Sequence, residues 1–124
     1  NRGAMLRVIG GMKDVGTRIE NRLGEPAANP YLYLASQIHA GLAGIKGKYE
    51  APVATESPYA SDGDRIPTSL SAAITAFESD IAMSDGFGPE FIRYYAQLKR
   101  AESERFNAAT DKDEFQRREY FSRL

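Results

Sequence analysis

The stretch GEPAANP, residues 24–30, sets the terms on which this chain can fold. It holds two prolines and a glycine within seven residues, so neither a strand ladder nor a helix runs through it. Before it, apolar residues alternate with polar ones; after it, they recur at three- and four-residue steps. The chain is therefore divided into a short strand-forming part and a longer helical part.

In the first part AMLRVI, residues 4–9, reads as a strand, GGMKDVG as a loop with three glycines and an aspartate, and TRIENRL, residues 17–23, as a second strand. Together they predict an antiparallel hairpin with a long connection. Strand side chains alternate, so Thr17, Ile19, Asn21 and Leu23 fall on one face and Arg18, Glu20 and Arg22 on the other.

In the second part Asn29 suits a helix N-cap and Pro30 the first turn. The helix runs from Pro30 to about Ala43, with Leu34, Ile38, Leu42 and Ile45 as a stripe toward the core and Gly44 and Gly47 at its end. Residues 46–68, with three prolines, read as an irregular segment. Thr68 or Ser69 caps a helix to about Ser79, with Leu70, Ile74, Phe77 and Ile81 on one side; SDGFG, residues 84–88, reads as a turn. A longer helix, about Pro89 to Asn107, turns Phe91, Tyr95, Leu98 and Phe106 inward. Thr110 followed by Asp113 reads as a capping box for a last helix, 111–122.

The expected class is α+β, a hairpin followed by about four helices. A lone two-stranded hairpin is marginal in water and leaves unpaired edges. Either the helices cover it or it is part of a larger sheet.

Composition narrows the partners. Sixteen basic and seventeen acidic side chains nearly cancel, so no broad positive field draws nucleic acid or an anionic membrane. The most apolar stretch, 31–45, is interrupted by Ser36, Gln37 and His39 and is too short to span a bilayer. There are no cysteines, hence no thiolate metal site or disulfide, which fits a reducing compartment.

Any anion site must then be local, and the charged strand is the place for one. Arg18, Glu20 and Arg22 have two readings: a solvated face neutralised by Glu20, or a clamp for phosphate or carboxylate groups. Same-face strand residues stand roughly 6.5–7 Å apart, a spacing at which two guanidiniums can grip neighbouring anions. A carboxylate between them suits a hard cation. Arg2 and Arg7, on the preceding segment, concentrate the set.

These residues resemble a family. NRGAMLRV at 1–8, TRIENRLGEPAANPYLYLASQIHAGLAGI at 17–45 and the closing DEFQRREYFSRL are similar to the C-terminal catalytic region of the glutamine synthetases. The resemblance implies that residues 1–124 are a C-terminal fragment of such a domain, with the hairpin part of a larger catalytic sheet in the parent and further sequence upstream of Asn1. It implies an ATP-dependent ligase that forms γ-glutamyl phosphate from glutamate and then joins ammonia or an amine, with Mg²⁺ or Mn²⁺ as cofactor, in a cytoplasmic homo-oligomer. The fragment alone is expected to be inactive.

By the same resemblance Arg2 contacts the transferred phosphate and the substrate, Arg7 and Arg18 contact nucleotide phosphates, Glu20 ligates the metal, and Arg22 meets the glutamate carboxylate at the reacting centre. Gly3 stands where the family usually has Ser or Thr, and Val15 where some members have a nucleotide-contacting Lys. A second reading is a packing or assembly module with a degenerate active-site face.

Three other features have plainer readings. His39, the one histidine, reads as a helix-packing or surface residue. GLAGIKGK lacks the spacing and the Ser or Thr of a phosphate loop. Tyr59 lies near where some bacterial members carry an adenylylated tyrosine, but in different surroundings, and reads as an exposed loop residue.

Overall fold

The computed structural model describes residues 3–59 and 65–123. They form two compact units, one built from the residues up to 28 together with 50–59, the other from 29–49 and from 65 onward.

The first unit holds the hairpin. Strands β1 (Leu6–Ile9) and β2 (Arg18–Asn21) pair antiparallel, with Leu6 opposite Asn21, Arg7 opposite Glu20, Val8 opposite Ile19 and Ile9 opposite Arg18. This register places Leu6, Val8 and Ile19 on one face, and all three are exposed. The connection closes on itself: the Asp14 N–H donates to the Gly11 carbonyl and the Thr17 N–H to the Asp14 carbonyl, both at 3.1 Å. The Thr17 hydroxyl donates to the Gly11 carbonyl at 2.8 Å and accepts the Gly11 N–H at 3.1 Å. Gly10 turns at φ 91°, and a Cβ there would stand 2.7 Å from the Thr17 Oγ1, so no other residue fits that corner.

The second unit is helical: α1 (Pro30–Gly47), α2 (Leu70–Ser79), α3 (Ile81–Phe87), α4 (Pro89–Ala108) and α5 (Lys112–Tyr120), then a 3₁₀ turn at Phe121–Arg123. The class is α+β, as the sequence predicts, with one more helix. Asn29 caps α1 by accepting the Tyr31 and Leu32 N–H groups at 3.0 and 3.1 Å, and Pro30 opens its first turn. Helix α1 runs a turn beyond Ala43 and closes at Lys48, which takes the left-handed conformation at φ 51°. Gly47 stays a glycine beside it because the Tyr49 ring folds over its Cα, leaving no room for a Cβ. Ser69 caps α2 through the Ala72 N–H at 3.2 Å.

Five expectations are corrected. The SDGFG segment is not a turn, since Ser84 to Phe87 complete α3 and Gly88, at φ 86°, ends it. Asp80 caps α3 by accepting the Met83 N–H at 2.9 Å, and packing of α3 on α1 and α4 outweighs the weak helix propensity of its residues. Ile81 therefore begins a new helix, exposed, instead of extending the α2 stripe. Leu98 is also exposed, whereas Phe91, Tyr95 and Phe106 of the predicted stripe are half-buried in ring contacts, and the fully buried positions of α4 are Ile92, Ala96 and Glu102. The last helix is capped by Asp111, which accepts the Glu114 N–H at 2.9 Å, one residue later than the predicted box.

The fifth correction concerns α1. Leu34, Ile38, Leu42 and Ile45 do not face the core; they are between 57% and 79% exposed. The half-buried side carries Ala35, Ser36, His39 and Ala43 instead, and α1 packs on α3. The contact with α3, made through the His39 and Phe87 rings, selects that face.

The core of this unit is small: Ile74, Ile92 and Ala96, among the described residues. An aromatic row reinforces it. His39 meets Phe87 edge-on at 4.9 Å, Phe87 stacks on Phe91 at 5.0 Å, Phe91 on Tyr95 at 5.6 Å, and Phe77 meets Tyr95 edge-on at 5.9 Å. His39 is thus a packing residue. No helix among the described residues is long and apolar enough to cross a membrane.

Candidate functional site

The register of the hairpin decides which charges meet. Arg7 stands directly opposite Glu20 and its Nη1 donates to Glu20 Oε2 at 2.7 Å. Arg22, two residues along β2 from Glu20, donates from Nη1 to the same oxygen at 3.3 Å. The Arg22 N–H donates to the Met5 carbonyl at 3.0 Å, which carries the ladder past Asn21 and fixes the base of that side chain. One carboxylate oxygen is therefore held by two guanidiniums from adjacent strands, on a face that is half-buried at Arg7 and Glu20.

Arg18 does not join them. Its Nη1 donates to the Gly16 carbonyl at 2.9 Å, turning the side chain back along the connection. The side chains that meet are Arg7, Glu20 and Arg22. Direct opposition, with Cβ atoms about 4.5–5.5 Å apart, brings Arg7 to Glu20, while Arg18 and Arg22, each two residues from Glu20 along the chain, differ in the partner their guanidiniums take. The signal was present in the alternation of both strands, but only their register ties position 7 to position 20. Arg2 lies outside the described residues.

The charges tune one another. Partial desolvation pushes the Glu20 carboxyl up, but hydrogen bonds and charge from Arg7 and Arg22 outweigh it and hold the group below the usual carboxylate range. Glu20 stays ionised at neutral pH, and the two guanidiniums keep donors beyond those they spend on it.

Glu20 is a single carboxylate. No cluster of three or more His, Cys, Asp or Glu side chains that could hold a metal occurs among the described residues. Hard divalent cations take six or more oxygen ligands, or near-octahedral sets with water. These residues therefore do not fit a complete metal centre, although one of them can contribute to one.

On this strand pair two arginines converge on one carboxylate. Comparison with known proteins gives the chain a family. The model of the glutamine synthetase catalytic domain matches residues 1–118. The chain is 42% identical to gamma-glutamylanilide synthase of an Acinetobacter species, over 100% of this chain and 27% of that protein. It is 38% identical to human lengsin, over 86% of this chain and 21% of lengsin, and 35% identical to gamma-glutamylethanolamide synthetase of Streptomyces coelicolor, over 94% and 25% respectively. The chain belongs to the glutamine synthetase family, within its catalytic domain. It spans about a quarter of the length of these curated relatives.

Proposed function

We propose that the longer protein carrying this segment is an ATP-dependent ligase that joins glutamate to ammonia or an amine, and that the Arg7–Glu20–Arg22 face is one wall of its nucleotide and substrate site. The observation that carries this reading is the convergence of Arg7 and Arg22 on Glu20 Oε2, in a chain whose family is that of glutamine synthetase. Two relatives named for an anilide and an ethanolamide product support an acceptor range wider than ammonia.

In the proposed reaction an oxygen of the glutamate γ-carboxylate attacks the terminal phosphorus of ATP and ADP departs. The amine nitrogen then attacks the acyl carbon, phosphate leaves, and the nitrogen gives up a proton. Negative charge grows on phosphoryl oxygens in the first step and on the acyl oxygen in the second. Fixed guanidiniums stabilise such charge without reorganising. Arg22 is assigned to the glutamate carboxylate and the reacting centre, Arg7 to nucleotide phosphate, and Glu20 both aims the two arginines and offers one oxygen ligand to Mg²⁺ or Mn²⁺. Arg2 is assigned to the transferred phosphate and Arg18 to nucleotide phosphate, on the family pattern alone. A bound divalent ion would supply charge neutralisation at the phosphates.

The test is substitution in the full-length protein. Arg22→Ala and Glu20→Ala should each abolish amine-dependent phosphate release while assembly is retained. Near-normal turnover in either variant removes the assignment. The isolated 124-residue segment should bind Mg²⁺–ATP weakly or not at all, and micromolar affinity would show that the rest of the protein is not needed. A second reading, a non-catalytic assembly module, is favoured by the exposed Leu34–Ile38–Leu42–Ile45 stripe. Loss of nucleotide binding in Arg7→Ala, measured by calorimetry on the full-length protein, decides for the ligase.

A further inference from the structure

The segment that follows α1 returns to the start of the hairpin. At Gly3 a Cβ would stand 2.7 Å from Pro58 Cγ and 2.8 Å from Tyr59 Cε2 and Cζ, closer than real Cβ contacts allow. The edge of the Tyr59 ring thus rests on the Gly3 backbone. Pro58 is half-buried there, while Tyr59 is 91% exposed, so the ring is held at one edge with its surface open.

The place is defined by the ladder. Gly3 lies two residues before Met5, and the Met5 carbonyl accepts the Arg22 N–H. Gly3 therefore marks the Arg22 end of the hairpin, beyond the last backbone pairing. Any side chain at position 3 displaces Tyr59, so the glycine and the tyrosine form one device.

We propose that Tyr59 is a specificity-determining residue for the acceptor: its open ring surface receives an amine carried on a flat apolar body, such as an arylamine, at the Arg22 end of the charged face. The inference rests on the ligase reading above. An aromatic face attracts a second ring by offset or edge-on stacking and offers nothing comparable to ammonia. Tyr59 acts on the acceptor only; the phosphoryl and glutamate contacts remain with the arginines.

The experiment compares kcat/KM for aniline and for ammonia in the full-length protein, with ATP and glutamate saturating. Tyr59→Ala should lower the aniline-to-ammonia ratio about fivefold, the scale of one aromatic contact, with KM for ATP and glutamate unchanged. Tyr59→Phe should keep the ratio, since the ring is retained. Gly3→Ser should lower the ratio as Tyr59→Ala does, because the added Cβ occupies the place of the ring edge. Turnover with an unchanged ratio in both Tyr59→Ala and Gly3→Ser overturns this inference alone. A protein that turns over neither amine overturns the ligase reading and this inference with it.

Discussion

The Tyr120 hydroxyl donates to Glu102 Oε1 and so joins the last helix to the longest one. Glu102 is the buried charged residue among those described, and Lys99 donates to its other oxygen at 2.7 Å. Around this centre Arg105 pairs with Glu119 at 3.0 Å, the Phe106 and Phe115 rings meet edge-on at 5.7 Å, and the Lys112 ammonium donates to the Asn107 carbonyl at 2.8 Å, closing the end of α4. Helix α5 is short and charged, so these contacts, more than its own propensity, hold it in place.

Tyr120→Phe should therefore loosen α5 without disturbing α2 or α3. A hydrogen bond to a charged partner is worth about 1.5–3 kcal/mol, so amides of α5 should lose roughly tenfold or more of their exchange protection. Hydrogen exchange followed by mass spectrometry on the full-length protein reads this directly. Protection unchanged in α5 would show that the ring contacts suffice.

The same clasp should weaken at both ends of the pH scale. Burial pushes the Tyr120 phenol up, and the Glu102 hydrogen bond and charge add to it, raising its pKa to about 12 from an ordinary value of 10.0. A raised pKa means the contribution is complete below the ordinary value and is lost as pH climbs through about 12. Burial pushes the Glu102 carboxyl up, but the Lys99 and Tyr120 hydrogen bonds outweigh it and leave the group below the usual range. Its contribution is present above the ordinary carboxylate pKa and is lost as pH falls through the depressed one. α5 protection against pH should be flat near neutrality and fall on both sides. In Glu102→Gln the acid limb should shrink.

Gly86→Ala should destabilise, although alanine is the better helix former by about 1 kcal/mol. A Cβ at Gly86 would stand 2.3 Å from His39 Cγ and 2.5 Å from its Nδ1. Forcing the α1–α3 contact apart costs about 1–3 kcal/mol on the scale of overpacked cores. His39→Ala removes the obstacle, so Gly86→Ala made in that background should be neutral or stabilising. The double-mutant cycle, read from thermal midpoints, shows additive effects with no coupling if the two residues do not touch.

Arg18 and Arg22 should separate in kinetics. Arg22 holds Glu20, whereas Arg18 holds the Gly16 carbonyl. Arg22→Ala should remove turnover, and Arg18→Ala should raise KM for ATP with a smaller loss of kcat, because the connection loosens while the Arg7–Glu20–Arg22 group stays intact. Equal losses in kcat would place both side chains at the reacting centre.

The isolated segment should self-associate. It exposes Leu6, Val8 and Ile19 on one face of the hairpin and, in the helical unit, the Leu34, Ile38, Leu42 and Ile45 stripe of α1, and exposed apolar patches favour association. Light scattering should rise with concentration, and Ile38→Lys should reduce it. A monomer over a wide concentration range would count against this.

Much of this was legible beforehand, and the misses share a cause. Helix starts were written in single residues: Asn29 and Ser69 cap as their side chains dictate. The hairpin was written in alternation. What alternation omits is register, so Arg7 could not be paired with Glu20 from the sequence of β2 alone. What helical periodicity omits is which of two plausible faces meets a neighbour. On α1 the branched stripe looked like a core, but the small face with His39 met α3. Similarly, Gly86 read as a turn residue because its reason, the imidazole ring against its Cα, comes from a helix far away in sequence.

The loop between β1 and β2 is knotted to itself by Thr17, Asp14 and the glycine corner at position 10. Its length is thereby locked to the strands it joins. Among variants of this protein, substitutions at the protruding Met12 and Val15 should be freely accepted, while insertion or deletion of a single residue there should be selected against. Such an event would slide one chain past the other and exchange the arginine side for the greasy side of the ribbon.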